Sequence, residues 1–592
     1  MVKTGIAFPD YITEEKGHKR RNYEFKENRT RDIFLGICLL IFVGGLLVKL
    51  FSLQIIDGHN FRLLADSNRI KTIVIHAPRG AIFDRNGQSL VYNVPGFRKT
   101  ENGETKLLSK DEALSALAKG ETDIEYDSFR QYPYSDAFSH VVGYIGQISP
   151  DELKNENFAA YKPGDFVGKM GIEQSYEAML KGTDGRQLVE VDSMGRTIRK
   201  LGQTDPTPGQ NVSLNLDLNL QKAAFLAMKD VQKGAVVVSS PKGEILAMIS
   251  KPSFDPNLFT QPQSSESAEI AHKKIQDILY DTKGRSLLNR AISGTYPPGS
   301  TFKLVVASAG LEDRIIDENW EVQDNGIITV GDFSFSNWYF SQYGKTEGLV
   351  NIVKGIKRSN DIFFYTLAQK VGVDKISEFA KKFGLGKTLG IDIQGEANGL
   401  VPTQEWKQKT IGENWYLGDT YHYGIGQGYL LATPLQVNGW TQALANSGTL
   451  YEPHLLKSTP PKILSQNFLS PKTISLVREG MIESCSTGGV AWPLFEFQVK
   501  NPKLKIDGKN FLEVPQASAS AGFRDYRKVT VACKTGTAQH GDETTMPHAW
   551  ITLFAPAYDP QIVVTILAEE SGEGSNVAAP IAKKILEDWF SR

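Results

Sequence analysis

One apolar run near the N-terminus constrains this 592-residue chain more than any other feature. Residues 33–53 read IFLGICLLIFVGGLLVKLFSL, and Lys49 is their only charged side chain. At 1.5 Å per residue, a helix of that length spans roughly 31 Å, the thickness of a bilayer's hydrocarbon core. Lys49 lies near the end of the run, where its ammonium group can reach the lipid headgroups. The sequence therefore predicts a transmembrane helix over residues 33–53.

The flanks of this run predict its orientation. Seven lysines and arginines precede it between residues 16 and 31, and no small-residue cleavage site follows it. By the positive-inside rule, residues 1–32 lie in the cytoplasm and the chain beyond about residue 54 lies outside. We expect an uncleaved, single-pass anchor in the inner (cytoplasmic) membrane that carries a large extracytoplasmic body. A buried helix of a soluble protein is the alternative.

The composition excludes several classes of protein. A formal charge of -1 gives no basic excess, so a dedicated nucleic-acid binder is not expected. Three cysteines in the whole chain exclude a disulfide scaffold. The absence of CxxC and HExxH patterns leaves little support for a zinc site.

The body divides at Pro206-Thr-Pro-Gly209, which reads as a linker or turn. Residues 54–205 mix Gly and Pro with short alternating runs such as 72–76, and we expect an α+β domain there. Residues 206–592 have predicted strands at both ends and helices between them, which is typical of one large α/β unit. The predicted elements are a helix with apolar positions Leu220, Ala224, Ala227 and Val231, strands 234–238, 244–249, 528–533, 549–554 and 561–569, a closing helix 577–590, and a mobile surface loop over 262–290.

Three short patterns in sequence order carry the chemistry: Ser300-Thr-Phe-Lys303, Ser359-Asn-Asp361 and Lys534-Thr-Gly536. Each pattern alone is weak, because Ser239-Ser-Pro-Lys242 and Lys3-Thr-Gly5 fit two of them equally well. Their context separates them, since the former lies in a predicted hairpin turn and the latter in the predicted cytoplasmic tail.

Ser300 lies where a helix is predicted to begin, between a Pro-Gly turn and the apolar run 304–307. Residues three apart share a helix face, so Lys303 can point its amine at the Ser300 hydroxyl, giving a nucleophile with an adjacent base. The unpaired N–H groups of a helix start, including that of Ser300, can bind an oxyanion. A helix-capping role for Ser300 is the alternative.

The third pattern continues a predicted strand. Gly536 lets a substrate backbone approach closely, Lys534 supplies positive charge, and the hydroxyl groups of Thr535 and Thr537 can hold a carboxylate. A solvated edge strand is the alternative interpretation.

Together these motifs resemble the S-x-x-K, S-x-N and K-T-G set of penicillin-recognising serine enzymes. The resemblance extends to class B penicillin-binding proteins of the elongation type. It rests on pedestal signatures at 77–87, 166–176 and 180–185, and on transpeptidase signatures at 252–257, 424–429, 432–436 and 548–550. It implies a transmembrane helix, an α+β pedestal with a reduced head, and a transpeptidase domain that is serine β-lactamase-like, with helices around a central antiparallel sheet.

The resemblance also implies a peptidoglycan D,D-transpeptidase of cell-wall elongation. Ser300 would attack the D-Ala-D-Ala carbonyl of a stem peptide, Lys303 would accept its proton, and Ser359 would relay a proton to the leaving amine. The backbone N–H groups of Ser300 and Thr537 would form the oxyanion hole. The carboxylate of the stem peptide, or of a β-lactam, would be bound by Lys534, Thr535 and Thr537. No metal or organic cofactor enters this scheme.

Asp361, rather than Asn360, occupies the third position of the second motif. A carboxylate beside Lys303 would favour the ammonium form and so oppose its role as a base. We therefore expect either that donors hold Asp361 facing away from Lys303, or that Lys534 shares its charge.

Two positions depart from the family pattern. Cys533 stands where many relatives have glycine, and we expect a small buried thiol, with pairing to Cys485 as the alternative. Some elongation-type members have a zinc site of Asp, His and Cys between the first two motifs. Residues 304–358 contain neither His nor Cys, so no such metal is predicted.

The partners implied are stem peptides, β-lactams, the bilayer and a SEDS-family glycosyltransferase, against whose helices Gly36, Gly44 and Gly45 could pack closely. A D,D-carboxypeptidase stays open, because only the acceptor differs, and so does a non-catalytic cell-wall scaffold. A β-lactamase would gain nothing from a pedestal. A bifunctional synthase would need a glycosyltransferase domain, for which residues 54–205 are too few.

Overall fold

The structure is a computed structural model, and it describes residues 29–101, 104–121, 124–192, 196–260, 265–501, 526–541 and 544–592. The described residues form two compact units. One contains residues up to 72 together with 188–201, and the other contains 73–187 and 202–592.

The first unit begins with a long apolar helix. Helix α1 (Arg29–Phe51) continues through a π-helical turn (Ser52–Ile56) into α2 (Gly58–Arg69). The apolar stretch is long enough to cross a bilayer, and none of it is buried in the protein. A helix that exposes this much apolar surface is suited to lipid rather than water. The helix predicted over 33–53 lies within this segment, and its orientation stays a prediction.

Short strands and helices alternate through the predicted pedestal. The strands are β1 (Ile70–Ile75), β2 (Ile82–Phe83), β3 (Ser89–Glu101), β4 (Glu104–Leu108), β5 (Ile124–Gln131), β6 (Ile145–Gln147), β7 (Phe166–Gly168), β8 (Gly185–Val191) and β9 (Thr197–Thr204). The helices are α3 (Lys110–Ala118), α4 (Ser139–Val142), α5 (Gly171–Ser175) and α6 (Glu177–Leu180). Strand β3 pairs with β2, β4 and β5, and β2 also pairs with β10 (Val212–Ser213), which makes a five-stranded sheet. The reduced head implied by the resemblance, between Leu90 and His140, contributes β3, β4 and β5 to this sheet together with helix α3.

The remaining elements belong to the predicted transpeptidase domain. Its strands are β10 (Val212–Ser213), β11 (Gly234–Ser239), β12 (Ile245–Lys251), β13 (Val322–Asp324), β14 (Ile327–Val330), β15 (Phe333–Ser336), β16 (Gly348–Val350), β17 (Leu450–Tyr451), β18 (Ile463–Ser465), β19 (Gln498–Lys500), β20 (Tyr526–Lys528), β21 (Ala532–Ala538), β22 (His548–Ala555) and β23 (Ile562–Ala568). Its helices are α7 (Leu218–Ala227), α8 (Ser265–Leu279), α9 (Lys303–Glu312), α10 (Trp338–Tyr343), α11 (Ile352–Lys357), α12 (Asp361–Val371), α13 (Val373–Lys382), α14 (Gln404–Thr410), α15 (Leu417–Gly424), α16 (Pro434–Ala445), α17 (Pro471–Ser484) and α18 (Ala578–Phe590).

The centre of this domain is a five-stranded antiparallel sheet in the order β12-β11-β23-β22-β21. Alternate residues of a strand point to opposite faces, and along β11 they enter two different cores. Ala235 and Val237 pack in the core on one face, whereas Val236 and Val238 pack in the core on the other. Helices therefore cover both faces, which explains the unbroken apolar run of β11. The strand that carries the third motif, β21, lies at the edge.

Two expected elements are wrong. The strand predicted over 528–533 is two strands, because β20 pairs with β19 while β21 pairs with β22, and the residues between them bond elsewhere. The loop predicted over 262–290 contains α8, whose inward face is only a narrow stripe that includes the buried Ala271. Polar composition concealed that stripe.

Cys533, at the start of β21, is joined by a disulfide to Cys485, the residue that follows α17. The expected free thiol is therefore wrong, and the alternative pairing is the one found. The Cα atoms lie 5.9 Å apart, which is an ordinary separation for a disulfide.

Candidate active site

Ser300 lies in a single 3-10 turn, Gly299–Phe302, immediately before α9. No side chain caps either the turn or the helix, so the capping alternative for Ser300 is not found. Lys303 is the first residue of α9 and is completely buried. Its Nζ donates to Ser359 O at 2.8 Å, to Ser359 Oγ at 3.3 Å and to Asp361 Oδ1 at 2.6 Å. These three acceptors use all three ammonium donors, so Lys303 points at the second motif rather than at the Ser300 hydroxyl.

Ser359 occupies a strained position at the end of α11. The N–H of Ser359 donates to Ile356 O, and the N–H of Asn360 donates to Gly355 O. This is a Schellman motif, whose turning residue adopts a left-handed conformation that usually requires glycine. Ser359 has a φ of 53° there, at a cost of about 1 kcal/mol. The strain is one mark of a functional residue, because a glycine would fit this turn better.

The third motif brings a second buried lysine to the same hydroxyl. Lys534 Nζ donates to Ser359 Oγ at 2.8 Å and to Thr535 O at 2.8 Å. Gly536 lies against the Ser300 turn, since a Cβ at this position would be 3.1 Å from Pro298 O. On the side of Gly536 that faces Pro298, the close neighbour is therefore the protein's own backbone and not the substrate that we expected there.

Thr535 is buried and Thr537 is exposed on the edge strand. A Cβ on Gly299 would lie 3.0 Å from Thr537 O, so the backbones of Gly299 and Thr537 are neighbours. The two predicted oxyanion donors, the N–H groups of Ser300 and Thr537, therefore belong to adjacent segments. Their role stays a prediction.

Asp361 faces Lys303, so the first of the two alternatives, that it would face away, is wrong. The second alternative, that Lys534 shares its charge, stays a prediction. One carboxylate oxygen accepts from Lys303 and the other accepts from the backbone N–H of Trp338 at 2.9 Å. The reason is tertiary, because α12, which begins at Asp361, packs against α9, which begins at Lys303.

Burial dominates the protonation of both lysines. It lowers the pKa of Lys303 below the ordinary value, although the Asp361 carboxylate opposes the shift. Burial lowers the pKa of Lys534 much further, the charge of Lys303 adds to that effect, and Asp361 again opposes it. A neutral lysine is thereby accessible at lower pH than in water, as a base requires.

Several supporting residues were not predicted from the sequence. Gly426 has a φ of 76°, and its carbonyl accepts from the N–H of Gly299 at 2.9 Å. A Cβ on Gly426 would come within 2.1 Å of Gly299 O, so only glycine fits behind the Ser300 turn. Only the resemblance of segment 424–429 to the family's transpeptidase signatures points to this glycine. No local pattern in the sequence indicates Asn337 or Asp324, which contact the second motif.

Within the described ranges, no group of three or more His, Cys, Asp or Glu side chains is arranged to hold a metal ion. The absence of a metal stays a prediction.

Comparison with known proteins assigns the chain to a family. The sequence model of the penicillin-binding protein transpeptidase domain matches residues 234–587, and that of the penicillin-binding protein dimerisation domain matches residues 119–214. The chain belongs to the penicillin-binding protein family. The domain boundaries at 53/54 and 205/206 stay predictions.

Two curated relatives are named peptidoglycan D,D-transpeptidase MrdA. The protein from Haemophilus influenzae is 32% identical, over 95% of this chain and 92% of that protein. The protein from Escherichia coli K12 is 32% identical, over 99% of this chain and 96% of that protein. The predicted resemblance to an elongation-type class B penicillin-binding protein is confirmed.

The solved structures agree. Pseudomonas aeruginosa PBP2 in complex with WCK 5153 is 33% identical, with a TM-score of 0.65 over 88% of this chain and 96% of that chain. A chain of the complex between PBP2 and MreC from Helicobacter pylori is 28% identical, with a TM-score of 0.70 over 88% of this chain and 98% of that chain. A chain of a peptidoglycan synthase complex is 28% identical, with a TM-score of 0.70 over 95% of this chain and 98% of that chain. The predicted fold class is confirmed.

Proposed function

We propose that this protein is a serine-type D,D-transpeptidase that cross-links peptidoglycan stem peptides and is acylated by β-lactams. One observation carries the proposal. Lys303 from the first motif and Lys534 from the third both donate to the hydroxyl oxygen of Ser359 from the second, although these residues are far apart in sequence. A scaffold without catalytic activity would have no need for two buried lysines at one hydroxyl.

Acylation begins with attack of Ser300 Oγ on the carbonyl carbon of the penultimate D-Ala. Lys303, in its neutral form, accepts the Ser300 proton; catalytic hydrogen bonds of this kind often tighten only when substrate is bound. The carbonyl oxygen becomes an oxyanion beside the N–H groups of Ser300 and Thr537. A proton then passes through Ser359 to the departing amine, the C–N bond breaks and D-Ala leaves.

The remaining members of the third motif orient the substrate. Lys534, Thr535 and Thr537 present an amine and two hydroxyls to the terminal carboxylate. The bound carboxylate opposes the effect of burial on the pKa of Lys534 and so favours its ammonium form. The carboxylate of a β-lactam takes the same place. The amine of a second stem peptide attacks the ester carbon, gives its proton to the base and restores the Ser300 hydroxyl. A carboxypeptidase would use water in that last step.

Product analysis tests the proposal. The purified full-length protein is incubated with peptidoglycan strands whose stem peptides end in D-Ala-D-Ala, and the digested products are identified by mass spectrometry. We expect cross-linked dimers from the wild type and none from Ser300→Ala. Trimmed monomers without dimers would indicate a carboxypeptidase, and no Ser300-dependent product would indicate a scaffold.

The helix α1 supports a membrane-anchored protein with a cytoplasmic N-terminus and an extracytoplasmic catalytic domain at the inner membrane. External protease should then digest the catalytic domain and spare an N-terminal tag. The reverse pattern would contradict this topology.

The partner proposed is a SEDS-family glycosyltransferase that acts with this protein in elongation. The similarity to a chain of a peptidoglycan synthase complex supports such a partner, and Gly36, Gly44 and Gly45 on α1 would let a partner's helix pack closely. A fluorescent fusion should follow the side wall of growing cells. Exclusive recruitment to the division site would contradict the elongation role.

A further inference from the structure

A buried carboxylate outside the three motifs lies behind the active site. Asp324, the last residue of β13, is 1% exposed. Its Oδ1 accepts from the N–H of Gly326 at 2.8 Å. Its Oδ2 accepts from Asn337 Nδ2 at 2.9 Å, from Asn360 Nδ2 at 2.8 Å and from the N–H of Glu347 at 3.0 Å. Four donors thus converge on one side chain that, when ionised, can only accept hydrogen bonds.

This carboxylate determines which way two side-chain amides point. Because Asn337 and Asn360 direct their Nδ2 groups at Asp324, their Oδ1 atoms must face the opposite way. Asn337 Oδ1 accepts from the N–H of Asp361 at 3.1 Å, and Asn360 Oδ1 accepts from the N–H of Phe363 at 2.8 Å. Both amides therefore fix the first turn of α12, where Asp361 lies.

The same segment also holds the carboxylate of Asp361. The residue after Asn337 is Trp338, whose backbone N–H donates to Asp361 Oδ2 at 2.9 Å. The other oxygen of Asp361 accepts from Lys303 Nζ at 2.6 Å. Residues 337 and 338, which Asp324 anchors, thus bind both the backbone and the side chain of Asp361.

We propose that Asp324 is a positioning residue for acylation, which holds Asp361 against Lys303 through Asn337 and Trp338. The inference rests on the proposed function, because it assigns Asp324 to the preparation of the Lys303 base. Asp324 touches none of the reacting groups itself.

The position of Asp361 affects how acylation depends on pH. The charged groups that face Lys303 within the described residues are Asp361, on α12, and Lys534, on β21. Asp361 raises the pKa of Lys303, so displacing Asp361 lowers it further. Lys303 then becomes neutral at a lower pH, and the acidic limb of the acylation profile moves to lower pH.

The test measures how fast a fluorescent penicillin acylates the full-length protein. The rate is determined at about nine pH values from 5 to 9. Asp324→Asn preserves shape but removes the charge and turns one acceptor into an –NH2 group. In place of Oδ2 this group opposes both asparagine donors and the N–H of Glu347, and in place of Oδ1 it opposes the N–H of Gly326. We expect the acylation rate at neutral pH to fall about tenfold, because Lys303 loses the Asp361 contact that orients it. The acidic limb should move down by about one pH unit, because Lys303 also loses the charge that raises its pKa.

Two further variants separate positioning from charge and from stability. Asn337→Ala keeps the Asp324 charge but removes the link to Asp361, and it should move the limb in the same direction. Asp84→Asn removes another carboxylate that is also 1% exposed and that bonds the N–H groups of Asn86 and Gln88. It should leave the midpoint of the pH profile unchanged.

The outcomes are distinct. If the folded Asp324→Asn and Asn337→Ala variants lose rate while the acidic limb stays at the wild-type pH, the role is structural only and the proposal is overturned. A limb that moves only in Asp324→Asn indicates a through-space charge effect, which also overturns it. If wild-type protein takes up no penicillin, the proposed function fails instead.

Discussion

Replacing Ser359 by alanine removes the oxygen on which both active-site lysines converge. Lys534 then keeps only Thr535 O as a partner, and Lys303 loses the longer of its contacts to Ser359. A hydrogen bond to a charged group contributes about 1.5–3 kcal/mol, and each 1.4 kcal/mol is about a factor of ten. The short Lys534 bond alone is therefore equivalent to about a ten- to hundredfold change in rate. Loss of the proton relay adds to this, so we expect a decrease of about a hundredfold or more.

The assay is the second-order rate constant for acylation by a fluorescent penicillin, read from labelled protein over time. Ser359→Gly is the matched control, because glycine also lacks the hydroxyl but relieves the strain of the 53° φ. Both variants should react equally slowly, and the glycine variant should unfold at the higher temperature. A rate within about threefold of wild type for either variant would refute the role assigned to the Ser359 hydroxyl.

Two other predictions concern charge. Asp361→Asn should keep substantial acylation, with a loss of about tenfold in rate against a far larger loss for Ser359→Ala. The acidic limb of its pH profile should move to lower pH, because the carboxylate raises the pKa of Lys303. If Asp361→Asn were as inactive as Ser359→Ala in the same assay, the charge itself would be part of the mechanism. Glu173 is completely buried, and its carboxylate oxygens lie 2.6 Å from Arg79 Nε and 2.7 Å from Arg130 Nε. Glu173→Gln should therefore destabilise the pedestal by about 3–5 kcal/mol in thermal unfolding. Glu405→Gln, which removes an exposed ion pair with Lys409, is the control and should change stability little. Burial alone would raise the pKa of Glu173, but the guanidinium groups of Arg130 and Arg79 outweigh burial and lower it. The stabilisation by the ionised Glu173 is therefore fully present above the pKa of the unfolded chain and is lost as the pH falls through the lower pKa of the folded protein. Equal melting temperatures for the two variants would contradict this prediction.

The sequence predicts the fold well where patterns are local. The apolar run of α1, the hairpin of β11 and β12, and the closing helix α18 all follow from periodicity and turns within a few residues. Helix α8 was missed because a single narrow stripe of apolar residues resembles a polar loop. The break between β20 and β21 was missed because it depends on pairing with strands far along the chain.

The site was predictable in its members but not in its contacts. The structure brings Lys303, Ser359 and Lys534 of the three motifs together, and Ser300 lies in the turn that precedes Lys303. Motif spacing could not show that Lys303 turns to Asp361, because that choice depends on how α9 meets α12 in the folded core. It also could not find Asp324, whose partners are spread along the chain from Gly326 to Asn360.

The most direct test of the whole account is peptide mapping after reaction with a penicillin. Full-length protein is labelled, digested and analysed by mass spectrometry, beside Ser300→Ala as the control. We expect one covalent adduct per protein, on the peptide that contains Ser300, and no adduct in the folded, membrane-bound variant. An adduct on Ser239 or on any other residue, or labelling that persists in Ser300→Ala, would contradict it.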